Sequence, residues 1–145
     1  PCQTHSKMMK ATKHDIRKYP DMKLYEEIIF LKNFFKGRFV VENVVPYYDT
    51  LIDAHKIGRH LLWSNFDLRS VQDVKRPKGF INNQNLENKK DMHDWLGIHF
   101  DDVVYYKGNH CPTQILRNCV HPFIGKQILD LAKQEEEPIE QLKLF

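Results

Sequence analysis

The chain has 145 residues, of which 41% are apolar and 12% aromatic, and it carries a formal net charge of +3. This length and composition suit one ordinary domain with a packed core. No apolar run reaches the ~18 residues of a membrane span, so the sequence predicts no transmembrane helix. Cysteines stand at positions 2, 111 and 119 without Cys-x-x-Cys spacing, which favours free thiols in the cytoplasm.

Positive charge is concentrated at the start of the chain. Residues 1–40 contain nine Lys or Arg and four Asp or Glu, whereas residues 101–145 contain five and seven. A basic segment beside a reactive group suits a polyanion such as nucleic acid. A solvated lysine-rich loop has the same composition, so charge alone leaves both interpretations open.

The first forty residues predict a loop, a helix and a buried strand. Residues 1–22 are polar and basic, which predicts a mobile loop. An amphipathic helix, ended by Gly37, is predicted from the helical spacing of Leu24, Ile28, Leu31 and Phe35. Residues 38–41 are apolar at nearly every position, as in a strand covered on both faces. A helix followed by a buried strand predicts half of a βαβ unit and a parallel sheet.

The remainder of the chain predicts short elements separated by an irregular segment, residues 67–90. Further helices are predicted around 48–52, 92–96 (closed by Gly97) and 122–136 (limited by Pro138). Further strands are predicted at 59–66 and 103–106. The sequence therefore predicts an α/β fold.

Two short strings carry the chemistry, Pro1-Cys2-Gln3-Thr4-His5-Ser6 and Glu42-Asn43-Val44. A thiolate can add to carbon 6 of a pyrimidine, and a carboxylic acid can protonate ring nitrogen 3 of the adduct. Glu42 ends an apolar run, where partial desolvation is expected. Because an unpaired buried charge is costly, Glu42 should have a specific role or partner. The alternative is a carboxylate at the solvated end of a strand.

The order and spacing of the two strings resemble the DNA cytosine-5 methyltransferases, which have a Pro-Cys-Gln nucleophile loop and a Glu-Asn-Val acid motif. The resemblance implies a partial doubly wound, Rossmann-like sheet. It implies that Cys2 attacks a flipped cytosine, that Glu42 is the acid, and that S-adenosylmethionine supplies a methyl group to carbon 5. Double-stranded DNA is the implied partner. Its implied contacts are Gln3, Ser6, Lys7 and Lys10.

Two downstream strings extend the resemblance. His55-Lys56-Ile57-Gly58-Arg59 occupies the place of the family's Gln-x-Arg-x-Arg motif, and only Arg59 is retained to contact the exocyclic oxygen of the cytosine. Asn118-Cys119-Val120-His121-Pro122 resembles the family's Asn-x-Val-x-Pro motif. This implies that Asn118 and Val120 lie on the methyl-donor side, a role with which an N-cap function for Asn118 is compatible.

The resemblance covers about residues 1–66 and 113–133. It implies half of the methyltransferase core in 1–66, a small recognition insertion in 67–112 and C-terminal core helices in 113–145. The chain has no Gly-rich strand-loop-helix for the donor and does not begin with Met. A second polypeptide or a missing N-terminal half is therefore expected to hold the donor. The family implies a bacterial or phage-infected cell, and hence a nucleoid-associated protein.

Three alternatives compete with this interpretation. The first is a non-catalytic DNA-binding or scaffolding remnant of such an enzyme. The second is a zinc site, disfavoured because the histidines lack ligand spacing and the adjacent His110 and Cys111 have poor geometry for joint ligation. The third is a thiol-protease-like pair of His5 and Cys2, which lacks an orienting group in the sequence.

Overall fold

The computed structural model describes residues 3–7, 19–77, 87–101 and 113–134. The chain divides into two compact units, Pro1–Val71 with Ile128–Phe145, and Gln72–Gln127. The elements in chain order are a 3₁₀ turn Gln3–His5, α1 Lys23–Phe34, β1 Val40–Val44, β2 His55–Ile57, β3 His60–Ser64, α2 Glu87–Leu96, α3 Gln114–Asn118 and α4 Pro122–Lys133. The predicted α/β class is confirmed.

The three strands form one antiparallel sheet in the order β1-β3-β2. Glu42 of β1 lies opposite Leu62 of β3, and Val44 lies opposite His60. The predicted parallel sheet is therefore wrong for these strands. Consecutive apolar residues report burial on both faces but not strand direction. The link between β2 and β3 is too short for the crossover that parallel neighbours require.

A hairpin of two residues, Gly58 and Arg59, joins β2 to β3. Gly58 has φ 55°, and no residue other than glycine has a positive φ in the described part of the chain. Glycine at the first central position is the pattern of a type II′ turn, whose twist matches the flanking strands. The hairpin therefore fixes the register in which Ile57 faces His60.

Helix α1 packs on one face of the sheet. Its buried residues are Tyr25 and Ile28, which cluster with Leu61 and Trp63 of β3. The indole N–H of Trp63 donates to the carbonyl of Ile52 at 2.9 Å, so the buried ring has its polar atom satisfied. The predicted helix is confirmed. Its predicted face is partly wrong, because the sequence analysis left out Tyr25.

Phe35 is 49% exposed because it follows the end of α1 in an extended conformation. Its ring lies over Gly37, where an added Cβ would come within 2.8 Å of the ring. The glycine that the sequence predicts as the helix end thus also makes room for this ring.

The side chain of Asn65 extends the pairing of β1 and β3 beyond the last strand residue. Its Oδ1 accepts from the Phe39 backbone N–H at 3.0 Å, and its Nδ2 donates to the Gly37 carbonyl at 2.9 Å. The amide therefore acts as one more peptide unit of the ladder. Phe39 is buried, so this bond satisfies a backbone N–H that water does not readily reach.

The other predicted elements have mixed outcomes. The helix around 48–52 is wrong, because these residues form bends and an irregular segment. The strand at 59–66 is confirmed as β3, and the helices at 92–96 and 122–136 are confirmed as α2 and α4. The predicted strand at 103–106 lies outside the described residues. No helix in the described ranges is long and apolar enough to cross a membrane.

Asn65→Ala should lower the free energy of unfolding by about 1–3 kcal/mol, because it leaves the buried Phe39 N–H without its acceptor. Urea unfolding of the two proteins measures the difference. Asn33→Ala is the matched control, since Asn33 is exposed and its side chain bonds only within α1. Equal stability of Asn65→Ala and the parent would contradict the role given to Asn65.

Candidate functional site

Three segments meet at the end of β1. Ser6 pairs with Pro46 in an isolated antiparallel bridge, and the Tyr47 N–H donates to the His5 carbonyl at 3.2 Å. The Val45 N–H donates to the carbonyl of Arg59 at 3.0 Å. The described part of the Cys2 string, the end of the Glu-Asn-Val string and the hairpin turn with Arg59 are therefore neighbours.

His5 anchors the first of these segments. Its side chain is fully buried, with Nε2 lying 2.8 Å from the Asp21 carbonyl and Nδ1 hydrogen bonded to the Tyr48 hydroxyl. Because a carbonyl only accepts, Nε2 carries the proton and Nδ1 accepts from Tyr48. The chain of bonds continues, since the Tyr25 hydroxyl donates to that of Tyr48 at 3.2 Å and the Leu51 N–H donates to Tyr25 at 3.4 Å.

This network corrects the expectation of a mobile loop and bears on one of the alternatives. Residues 3–7 are held against α1 and the segment after β1, so the predicted mobile loop is wrong for this stretch. Both ring nitrogens of His5 are occupied, which leaves none for a thiol-protease-like pair with Cys2. Thr4 adds a second tie, because its hydroxyl oxygen accepts from the Asp21 N–H at 2.9 Å.

Glu42 has a specific partner, His60. His60 Nδ1 lies 2.6 Å from Glu42 Oε1, and their side chains are 8% and 22% exposed. The two residues lie on one face of the sheet, because Glu42 faces Leu62 and His60 stands two residues from Leu62. Among the described residues Glu42 makes no other side-chain hydrogen bond, so Oε2 is available to a substrate. The sequence analysis missed His60 because it followed the family motif to Arg59.

A cleft of about 560 Å³ opens beside this junction. Its lining residues are Lys7, Val45, Pro46, Tyr47, Tyr48 and Asp49. Tyr48 is held by the His5 network, whereas the half-buried Tyr47 ring packs edge-on against Tyr48 with centroids 5.1 Å apart. A cleft of this volume, lined by an aromatic ring and an exposed amine, suits a nucleotide.

The structure does not bring several predicted site residues to this junction. Cys2 and Lys10 are outside the described residues, and Gln3 is described only in its backbone. Asn118 and Val120 belong to the other compact unit, so nothing in the structure brings them to the junction. Their donor-side role stays a prediction.

The alternative role of Asn118, a helix N-cap, is not seen. Asn118 is the last residue of α3, and helix α4 begins only at Pro122. His121 provides the cap of α4, because its Nδ1 accepts from the Phe123 N–H at 3.1 Å.

The described residues do not fit a pocket for S-adenosylmethionine. Such a pocket needs a Gly-rich turn between a strand and a helix, where backbone N–H groups can approach the ligand. The described glycines with positive φ are Gly58, in the hairpin, and Gly97, at the end of α2. Neither precedes a helix. No three His, Cys, Asp or Glu side chains in the described ranges gather to hold a metal ion either.

Comparison of the chain with protein-family models, with curated proteins and with solved structures finds no match in any of the three. The methyltransferase resemblance therefore stays a prediction carried by the two strings and the geometry around them.

Cys119 is a poor nucleophile in this fold. Its Sγ donates to the Ile115 carbonyl at 3.3 Å, and burial raises the pKa of its thiol. The thiolate is the reactive form, so Cys119 reacts slowly at neutral pH.

Alkylation of Cys119 by iodoacetamide should therefore have its pH midpoint at a higher pH in the native chain than in the urea-unfolded chain. Because the pKa of Cys119 is raised in the native chain, its thiol is still protonated at the pH where the thiol of the unfolded chain ionises. Peptide mapping of timed reactions from pH 7 to 11 measures the midpoints. The urea-unfolded chain is the control, and coincident midpoints would show that Cys119 is not buried.

Proposed function

We propose that the chain carries the nucleophile and the general acid of a DNA cytosine-5 methyltransferase, with Cys2 and Glu42 in these roles. The observation that supports the proposal is the junction at the end of β1. There Ser6, four residues after Cys2, pairs with Pro46, four residues after Glu42.

His5, the anchored residue nearest Cys2 in this segment, and the Glu42 side chain lie on opposite faces of the sheet. The His5 ring lies on the α1 side of the sheet with Tyr25 and Tyr48, whereas Glu42 points to the opposite face. The chain from His5 to Cys2 must therefore pass the end of β1 to meet a substrate at Glu42. Three residues span up to about 10 Å, which is enough for this passage.

The proposed chemistry begins with attack of the Cys2 thiolate on carbon 6 of the cytosine. The electron pair of the 5,6 double bond moves through the ring, and nitrogen 3 takes a proton from the Glu42 carboxyl group. The resulting enamine makes carbon 5 nucleophilic. His60 orients Glu42 through Nδ1–H and leaves Oε2 to face the ring.

The proposed substrate is a cytosine rotated out of duplex DNA, because the thiol cannot reach carbon 6 within the base stack. Lys7 would contact a phosphate, and Tyr47 offers a surface on which the extruded base can stack. Arg59, in the turn at this junction, would contact the exocyclic oxygen. The duplex would be encountered in the cytoplasm.

The proposal includes a larger, doubly wound sheet of the Rossmann-like kind. Doubly wound sheets often carry antiparallel strands at one edge of an otherwise parallel sheet. The strands β1, β3 and β2 would form that edge, and the methyl donor would be held outside the described residues by another part of the enzyme or by a second polypeptide. A non-catalytic DNA-binding subunit is the competing proposal. It is favoured because the described residues do not fit a pocket for S-adenosylmethionine.

Hydrogen exchange at carbon 5 tests the nucleophile without the donor. The enamine takes a solvent proton at carbon 5. Loss of the original hydrogen, expulsion of the Cys2 thiolate and return of the nitrogen 3 proton to Glu42 then regenerate cytosine. The 145-residue chain should therefore release tritium from duplex DNA labelled at carbon 5, and Cys2→Ser should not. Cys119→Ser, the matched control, should keep the parent rate. DNA binding without Cys2-dependent release would instead identify a non-catalytic subunit.

Glu42→Gln should slow this exchange by about 10²–10⁴-fold, as expected when a general acid is lost. The amide keeps an oxygen for His60 Nδ1–H but has no proton of suitable acidity, so melting temperature should change little. DNA affinity at fixed salt should also hold, because phosphate contacts supply most of it. An exchange rate within a few-fold of the parent would remove Glu42 from the mechanism.

A further inference from the structure

A second cleft, of about 330 Å³, lies in the unit formed by residues 72–127 and takes no part in the proposed methyl transfer. Its lining residues are Lys89, Lys90, His93, His99, Phe100 and Asp101. Helix α2 supplies the first three, and the chain returns past them after Gly97, whose φ of +66° ends the helix. The cleft is thus built from one helix and the segment that folds back on it.

His93 is the unusual member of this lining. It is buried, with only 7% of its surface exposed, and its Nδ1 hydrogen bonds to the Ile98 carbonyl. Because a carbonyl only accepts, Nδ1 carries a proton. Nε2 is buried and has no hydrogen-bond partner among the residues that the structure describes. A buried polar atom is normally satisfied, so this nitrogen points to a ligand that completes it.

Aromatic contacts hold His93 in this orientation. The His99 ring stacks on it with centroids 5.6 Å apart and an interplanar angle of 14°, and Phe100 packs edge-on at 4.6 Å. The imidazole cannot turn to satisfy Nε2 without losing these contacts and the bond to Ile98. The ring orientation is therefore fixed in advance, and only a small shift of the segment after Gly97 is needed to open Nε2 to a ligand.

The charges around the cleft favour an anion. Lys90 is paired with Asp94 at 2.7 Å, whereas Lys89 lies with Nζ 5.3 Å from the centre of the Phe100 ring and forms no ion pair with any described carboxylate. Asp101 is the lining carboxylate without a described cation, and it is exposed. A neutral donor would satisfy His93 but leave Lys89 without a counter-charge. A phosphate offers oxygen atoms to both.

We infer that this cleft binds a phosphate group, with His93 Nε2–H and Lys89 Nζ as the donors to its oxygens. His93 takes up a proton when the anion binds, because only the protonated ring can donate from Nε2 while Nδ1 stays bonded to Ile98. The phosphate belongs either to a nucleotide or to a nucleic-acid backbone, and both present the same group to the cleft. The site does not depend on the methyltransferase proposal.

The test is a phosphate titration of the ¹⁵N-labelled 145-residue chain, observed through the histidine side-chain nitrogens by NMR at constant pH and ionic strength. We expect His93 Nε2 to move saturably from the unprotonated towards the protonated range, with little change at His55 in the other unit. Chloride at the same ionic strength should leave His93 unmoved. A His93 signal that is unresponsive to phosphate, or that moves equally with chloride, overturns the inference.

Two substitutions test the assignment of the donors. His93→Gln and Lys89→Gln should each weaken phosphate binding by about tenfold or more, the effect of one hydrogen bond to a charged group. Lys133→Gln, on the exposed end of α4, is the control and should bind as the parent does. If His93→Gln does not fold, Lys89→Gln decides, because its side chain lies at the cleft rim. Unchanged affinity in Lys89→Gln contradicts the site.

Parallel titrations with adenosine monophosphate and with a short DNA duplex separate the two sources of the phosphate. A His93 shift at lower concentration with the duplex identifies a backbone contact, and one at lower concentration with the mononucleotide identifies a nucleotide site. The tritium-release experiment has a different readout and probes a different unit of the chain. The methyltransferase proposal and the phosphate site can therefore fail independently.

Discussion

The buried imidazole of His5 holds together the segments on which the candidate site depends. It connects the start of the chain to Asp21, just before α1, and to Tyr48, just after β1. Each tyrosine hydroxyl in this chain of bonds accepts one bond and donates the next, so the bonds run in a single direction from the Leu51 N–H to the Asp21 carbonyl. Bonds aligned in this way in a buried setting reinforce one another.

This anchor has a mechanical consequence for the proposed nucleophile. If the thiol were on an unrestrained segment, ordering that segment for the reaction would cost conformational entropy. Here the ordering of residues 4–6 is already achieved by Thr4, His5 and the Ser6–Pro46 bridge. Because His5 is three residues from Cys2, this anchor limits how far the proposed nucleophile can lie from the end of β1.

Local periodicity in the sequence predicted the helices α1, α2 and α4 because each buries one face, and a buried face leaves a pattern that can be read without the fold. The sheet direction could not be read in this way, since residues 38–41 look alike in either direction. His5 and His60 were missed for a related reason. Each is buried only because distant residues, Tyr48 and Glu42, supply the partners, and no local pattern shows such pairs.

The strand register links the fold to the proposed acid. A shift of β3 by one residue against β1 would move His60 to the other face and leave Glu42 without its partner. Two features oppose such a shift, the bond from the Val45 N–H to the Arg59 carbonyl and the clamp of Asn65 on Phe39 and Gly37. They lie at opposite ends of β3, so the strand is pinned on both sides of the Glu42–Leu62 pair. The carboxyl group thus points away from α1 because backbone geometry at the ends of one strand sets its face.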